Sequence, residues 1–123
     1  MNDTSILLVD DDNIVNFLSE RVLTKMDFNN ITAVTDGSKA LSKIKEKCAD
    51  LVFLDINMPV MNGFDFLTRV AKELLCRDMN VVILTSSNRK SDRDQASQFK
   101  SVIGFIEKPL SQDKVQQVLE KIK

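Results

Sequence analysis

A run of four apolar residues that stops at an acid constrains the fold of this chain more than any other feature. Residues 51–54 read Leu-Val-Phe-Leu, which suits a strand buried on both faces, as in a parallel sheet. Asp55 follows directly, and a carboxylate is costly there unless it lies at the open end of the strand, among water, cations or donors. Pro59 then favours a loop, and Gly63 offers backbone freedom before a helical pattern. The stretch predicts strand, acid, loop and helix, and ligands bind at such loops in open α/β sheets.

The same order of strand and helix recurs along the chain. Apolar runs at 6–9, 31–34, 81–84 and 102–106 predict four more strands, of which 31–34 is the least apolar and is placed nearest an edge. The helices between and after the strands are marked by Val15, Leu18, Val22 and Met26, by Ala40, Leu41 and Ile44, by Phe64, Leu67, Val70, Ala71 and Leu74, and by Val115, Val118, Leu119 and Ile122. This alternation predicts one α/β domain over residues 1–123, a parallel sheet with helices on both faces.

Capping residues and one polar segment refine that pattern. Asp12 and Ser111 stand where they can cap the first and last helices. The segment 88–98 has Ala96 as its only apolar residue, so a helix there would bury little and would be held loosely.

Composition excludes several classes of protein. The 123 residues include 17 Lys plus Arg and 18 Asp plus Glu, a balance that argues against direct binding of nucleic acid. No apolar run is long enough for membrane insertion, and the first residues do not resemble a secretion signal, so a cytoplasmic location is expected. Cys48 and Cys76 fit no zinc or redox motif and are interpreted as reduced, small apolar residues. The absence of histidine excludes imidazole catalysis on this chain.

Polar side chains follow four of the five predicted strands. They are Asp10 with Asp11, Asp55, Thr85 and Lys108. Each alone has an ordinary explanation as a helix-start acid, a turn residue, a strand-end hydroxyl or a surface lysine. The carboxyl ends of parallel strands share one edge, however, so all of them are expected to converge. Three carboxylates would raise one another's pKa values, and Mg²⁺ would relieve that repulsion. A carboxylate can also accept a phosphoryl group, which a lysine and a hydroxyl would stabilise.

At this point the chain resembles a known family. Leu8-Val9-Asp10-Asp11-Asp12, Leu54-Asp55-Ile56-Asn57-Met58-Pro59 with Gly63, Leu84-Thr85-Ser86 and Phe105-Ile106-Glu107-Lys108-Pro109 are similar to the motifs of receiver domains of two-component response regulators, in particular single-domain, chemotaxis-type receivers. The motifs span nearly the whole chain in the expected order. The resemblance implies a flavodoxin-like, doubly wound, five-stranded parallel sheet of order 2-1-3-4-5, flanked by five helices.

The resemblance also implies a role for each of the polar residues that follow the strands. Asp55 would accept a phosphoryl group from a sensor histidine kinase or a histidine phosphotransfer protein, and Lys108 would pair with the phosphate. Asp11, Asp55 and the backbone carbonyl of Asn57 would bind Mg²⁺ directly, with Asp10 acting through water. Thr85 would move towards the phosphate.

Two further expectations concern the last strand. Phe105 would turn inward as Thr85 moves. Its ring has no hydroxyl that could form a hydrogen bond in the outward position, so the inward state is expected to need less compensation for a lost bond. The peptide bond between Lys108 and Pro109 is expected to be cis. The surface around 85–109 would then change and control the binding of a downstream protein.

Alternative functions differ from this reading at identifiable positions. A small aspartyl-phosphate phosphatase would favour an acid two residues after the nucleophile, where this chain has Asn57. A receiver-like binding module that works without phosphorylation would normally lack one of the acids, Thr85 or Lys108, and a flavin-binding protein would have a long Ser/Thr loop after the first strand. The sequence carries no output domain after the last helix, so a monomer that catalyses only its own phosphorylation and dephosphorylation is expected.

Overall fold

Five strands and five helices alternate along the computed structural model, which describes residues 3–122. The strands are β1 (Ser5–Val9), β2 (Asn30–Val34), β3 (Leu51–Leu54), β4 (Asn80–Thr85) and β5 (Val102–Glu107). The helices are α1 (Asn13–Lys25), α2 (Gly37–Glu46), α3 (Gly63–Lys72), α4 (Lys90–Ala96) and α5 (Gln112–Ile122). The apolar runs predict each strand to within one residue at either end. Within the described residues, no helix combines the length and the apolar character that crossing a bilayer requires.

All strands pair in parallel, in the order β2-β1-β3-β4-β5. The predicted doubly wound fold and the edge position of β2 are therefore confirmed. In the register of the central strands, Val9 lies beside Leu54 and Leu54 lies beside Ile83. Because β1, β3 and β4 run in step, the residues that follow them emerge at one edge of the sheet.

The consecutive apolar residues of the central strands serve two separate cores. Leu54 is fully buried in a core that also contains α2, α3 and Ala96 of α4, whereas the adjacent Phe53 is buried in a second core with α1 and α5. Neighbouring side chains of a strand point to opposite faces. A strand covered by helices on both sides must therefore be apolar at every position, as the sequence of β3 is.

Helix α1 presents a different face to the sheet from the one that its apolar spacing predicts. Leu18 is 53% exposed, and the buried positions are Asn16, Ser19 and Leu23. The prediction that Leu18 lies on the inner face is wrong. The reason is a polar anchor, since the side-chain amide of Asn16 donates hydrogen bonds into the sheet edge and fixes the rotation of the helix. The predicted cap is present, with Asp12 accepting from the backbone of Ile14 at 2.9 Å.

Helix α3 ends earlier than its apolar pattern indicates. It stops at Lys72, and Leu74 lies beyond it in a left-handed conformation with φ of 56° and 82% exposure. The amide of Leu75 closes the helix end by donating to Val70 O at 3.0 Å. Phe66, which the sequence pattern passes over, is fully buried instead.

The two cysteines form a disulfide, contrary to the prediction of reduced thiols. Cys48 and Cys76 are joined at an S–S distance of 2.01 Å, with their Cα atoms 5.5 Å apart. Cys48 follows α2 and Cys76 follows α3, and these helices pack side by side on one face of the sheet. A sequence separation of 28 residues hides this proximity from a search for short motifs.

Gly63 is required by a close approach of the backbone and not by a special φ angle. A Cβ atom at this position would lie 2.5 Å from Asp55 O and 2.8 Å from the Cα of Ile56. The backbone amide of Gly63 also donates to Ile56 O at 3.2 Å. The start of α3 is thus held directly against the loop that follows Asp55, which fixes the course of that loop.

Gly63→Ala is expected to lower the free energy of unfolding by about 2–3 kcal/mol, because rigid backbone atoms would have to move to admit the methyl group. Gly104→Ala is the matched control, since a Cβ there would meet Val118 at an ordinary 3.5 Å. Urea unfolding of both variants measures the difference. Equal midpoints for the two variants would contradict the packing argument.

Candidate functional site

The acids that follow β1 and β3 form a cluster at the carboxyl edge of the sheet. Carboxylate oxygens of Asp10, Asp11 and Asp55 all lie within 4.8 Å of one another. Asp10 and Asp55 are buried, at 3% and 4% exposure, whereas Asp11 is exposed. Burying a carboxylate is costly without a compensating charge or donor, so this cluster needs a cation.

Lys108 supplies a positive charge from the loop after β5. Its Nζ lies 2.6 Å from Asp10 Oδ2 and 3.4 Å from Asp55 Oδ2. Its backbone amide donates to Thr85 O at 2.9 Å, which ties the loop to the end of β4. The Lys108–Pro109 peptide bond is cis. Residues separated by nearly the whole chain therefore meet in one pocket.

Burial and close charges act in opposite ways on Asp10 and Lys108. Desolvation raises the pKa of Asp10 above its usual value, against the hydrogen bond from Lys108, and the charge of Asp55 adds a smaller increase. The expected effect of a neighbouring acid on the pKa of Asp10 is therefore present, but it is smaller than the effect of burial. Burial alone would lower the pKa of Lys108, but its contacts with Asp10 and Asp55 outweigh burial and raise that pKa.

The pocket fits a hard cation. Three carboxylates face one lysine, which leaves an excess of negative charge. The buried Asp10 Oδ2 contacts the ammonium of Lys108 and no other donor within the described residues. Clustered carboxylate oxygens with spare lone pairs are the ligands that Mg²⁺ prefers. The acidic group can thus hold a metal ion.

Thr85 is fully buried at the end of β4, and its hydroxyl joins two loops. Its Oγ1 accepts hydrogen bonds from Asn57 Nδ2 at 3.4 Å and from the backbone amide of Ser87 at 3.3 Å. The backbone amide of Asn57 in turn donates to Asp55 Oδ1 at 3.2 Å. A chain of contacts therefore runs from the carboxylate of Asp55 through Asn57 to Thr85.

Phe105 is the one predicted site residue that the structure does not bring to the carboxylates. It lies on β5 beside Ile83, half-buried, and packs against the core on the α4 side of the sheet. The guanidinium carbon of Arg93, on α4, is 5.0 Å from the centroid of its ring.

Asn16 supports the site and was missed by the sequence analysis. Its Nδ2 donates to Asp10 O at 3.0 Å and to Val34 O at 3.1 Å, at the ends of β1 and β2. It thereby fixes the backbone that carries the first two acids. A signal for it exists in the sequence, because Asn16, Ser19 and Leu23 share helical spacing, but polar residues are not normally read as an inner face.

Asn16→Ala is expected to lower the free energy of unfolding by about 1–3 kcal/mol, because the carbonyl of Asp10 loses the donor that Asn16 supplies and the carbonyl of Val34 keeps only the bond from the amide of Asp10. Asn13→Ala, an exposed change in the first turn of the same helix, is the control. Thermal unfolding of both variants tests this. A loss no larger than that of the control would contradict the anchoring role.

The fold and the site together define a class: a doubly wound α/β domain with three acids, a hydroxyl and a lysine at its switch point. Comparison with known proteins agrees with this class. The family model of the response regulator receiver domain matches residues 6–120. Chemotaxis protein CheY-3 of Vibrio cholerae is 31% identical over 117 residues, which cover 95% of this chain and 89% of that protein. Chemotaxis protein CheY of Thermotoga maritima is 30% identical over 118 residues, 95% of each chain.

A solved structure extends the comparison to three dimensions. The crystal structure of a two-component response regulator from Cytophaga hutchinsonii superposes with a TM-score of 0.89 at 28% sequence identity, covering 96% of this chain and 95% of that one. The chain therefore belongs to the response regulator receiver family. Membership implies phosphorylation-dependent signalling.

Proposed function

We propose that this protein is a signalling switch in which Asp55 accepts a phosphoryl group from the phosphohistidine of a sensor histidine kinase or a histidine phosphotransfer protein. Phosphorylation then alters the surface around 85–109 and controls the binding of a downstream protein. One observation carries the proposal: a buried carboxylate of Asp55 lies beside a second buried acid, Asp10, with the ammonium group of Lys108 in contact with both.

The transfer uses groups that already surround Asp55. A carboxylate oxygen attacks phosphorus while the bond from phosphorus to the donor nitrogen breaks, and the product is an acyl phosphate. The ammonium of Lys108, 3.4 Å from Asp55 Oδ2, stabilises the charge on the phosphoryl oxygens. The hydroxyl of Thr85 supplies a further donor once it leaves its present partners.

Mg²⁺ completes this site. By the family pattern, Asp11, Asp55 and the backbone carbonyl of Asn57 would hold the ion directly, and Asp10 would hold it through water. Bound there, the ion offsets the charge of the acids and of the incoming phosphate. The carboxylate oxygens of Asp10, Asp11 and Asp55, which lie within 4.8 Å of one another, support this assignment.

The response begins at Thr85. A phosphate on Asp55 draws the hydroxyl of Thr85 away from Ser87 N, and the ring of Phe105 turns into the space that this movement opens. Helix α4 follows at low cost, because Ala96 is its only buried residue and its first turn has no side-chain cap. The surface that contains α4 and β5 then differs between the two states.

The surface beside the pocket suits a protein as donor. Three apolar side chains of α1 are exposed, Ile14, Phe17 and Leu18, at 68%, 59% and 53%. A groove of about 500 Å³ between α1 and residues 108–112 includes Leu18 and Lys108 in its walls. A phosphohistidine protein seated there would bring its imidazole within reach of Asp55, and its apolar surface would cover these side chains.

The proposal also covers catalysis, location and partners. The protein catalyses only its own phosphorylation and dephosphorylation, acts in the cytoplasm as a monomer, does not insert into a membrane and binds no nucleic acid directly. A small-molecule phosphatase is disfavoured because Asn57, which replaces the general acid, is an amide whose Nδ2 donates to Thr85.

Intact mass spectrometry after incubation with acetyl phosphate tests the proposal. One phosphoryl adduct is expected with Mg²⁺, and none is expected with EDTA or in Asp55→Asn. Asp78→Asn, an exposed acid in the turn before β4 at the opposite edge of the sheet, is the matched control and should be modified like the wild type.

A wild-type protein that gains no adduct in Mg²⁺ would contradict the proposal and favour a binding module that works without phosphorylation. An adduct that persists in Asp55→Asn would contradict the assignment of the acceptor.

A further inference from the structure

The contact between Arg93 and Phe105 links the least anchored helix to the last strand. The guanidinium carbon lies 5.0 Å from the ring centroid, within the range of a cation–π interaction. The two side chains also line a shallow groove of about 200 Å³ between α4 and β5. Phe105 is half-buried and Arg93 is exposed, so the arginine covers the solvent side of the ring.

Arg93 differs in its partners from the other cations of this segment. Arg89 pairs with Asp92 at 3.3 Å and Lys90 pairs with Asp94 at 2.9 Å. Arg93 makes no ion pair within 4.0 Å in the part of the chain described, 3–122, and its side chain contacts the aromatic ring instead. Its charge is thus directed at Phe105 and not at an acid of its own helix.

We propose that Arg93 is a positioning residue, which holds the ring of Phe105 in the outward orientation and so stabilises the unphosphorylated form of the switch. This inference rests on the proposed function above. Phe105 has no hydroxyl that could stabilise the outward orientation by a hydrogen bond. The cation–π contact with Arg93 can stabilise that orientation instead. A ring turned inward towards Thr85 would move away from Arg93, so the contact would be made in one state and lost in the other.

A contact that exists in one of two states shifts the population towards that state. An exposed cation–π pair is weak, and its loss changes such an equilibrium about two- to fivefold. Removing Arg93 should therefore favour the inward state and tighten the binding of any ligand that imitates the phosphate on Asp55. The energy involved is small, so the effect should appear in affinity without a loss of folding.

Beryllium fluoride with Mg²⁺, titrated by isothermal calorimetry, is a suitable probe because it imitates an acyl phosphate. Arg93→Met removes the cation and keeps the length of the side chain, and about two- to fivefold tighter binding is expected. Arg93→Lys retains the cation and should bind close to the wild type. Lys90→Met is the matched control, since it removes a cation from the same helix that does not contact Phe105.

A second pair of variants separates this role from a general change of charge. In a Phe105→Leu background, which lacks the ring, adding Arg93→Met should change the affinity no further. Equal affinity for the wild type and Arg93→Met, or a gain that persists without the ring, would overturn the inference alone. A wild type that binds no beryllium fluoride would overturn the proposed function and this inference with it.

Discussion

The ion pairs of Lys108 with Asp10 and Asp55 are the interaction on which the rest of the structure depends. Two carboxylates at 3% and 4% exposure are costly to bury at a sheet edge without a nearby cation. The lysine reaches them because it directly follows β5, a strand of the same parallel sheet, and because its own backbone amide donates a hydrogen bond to Thr85 O. Because one lysine does not balance three acids, the pocket has the ligands and the excess negative charge that suit a metal ion.

The chain segments that connect the pocket to the surface differ in how firmly they are packed. Asp55 follows a strand whose every residue is buried. The absence of a side chain at Gly63 lets the next helix pack directly against the loop that follows Asp55. Thr85, by contrast, precedes a helix with a single buried residue, Ala96. In the proposed function, a firmly held Asp55 beside a loosely anchored segment would allow a local change of charge to move one part of the surface and leave the rest of the fold in place.

Sequence patterns identify the parts of this structure that depend on period and order, and they fail where the packing of side chains between elements decides. The strand bounds and the convergence of Asp10, Asp55, Thr85 and Lys108 follow from a parallel sheet with aligned ends. The rotation of α1 does not follow, because a buried amide sets it where apolar spacing indicates Leu18. The Cys48–Cys76 disulfide and the stacking of Arg93 on Phe105 also escape prediction, since both depend on how neighbouring elements pack and leave no periodic signal.

The most direct test of the central claim identifies the modified atom group itself. Borohydride reduces an acyl phosphate and converts the modified aspartate into homoserine, which peptide mass mapping locates. After treatment with acetyl phosphate and Mg²⁺, the account predicts homoserine at position 55 and unchanged aspartate at positions 10 and 11. Homoserine at either of those positions, or at none of the three, would contradict the claim that Asp55 is the acceptor.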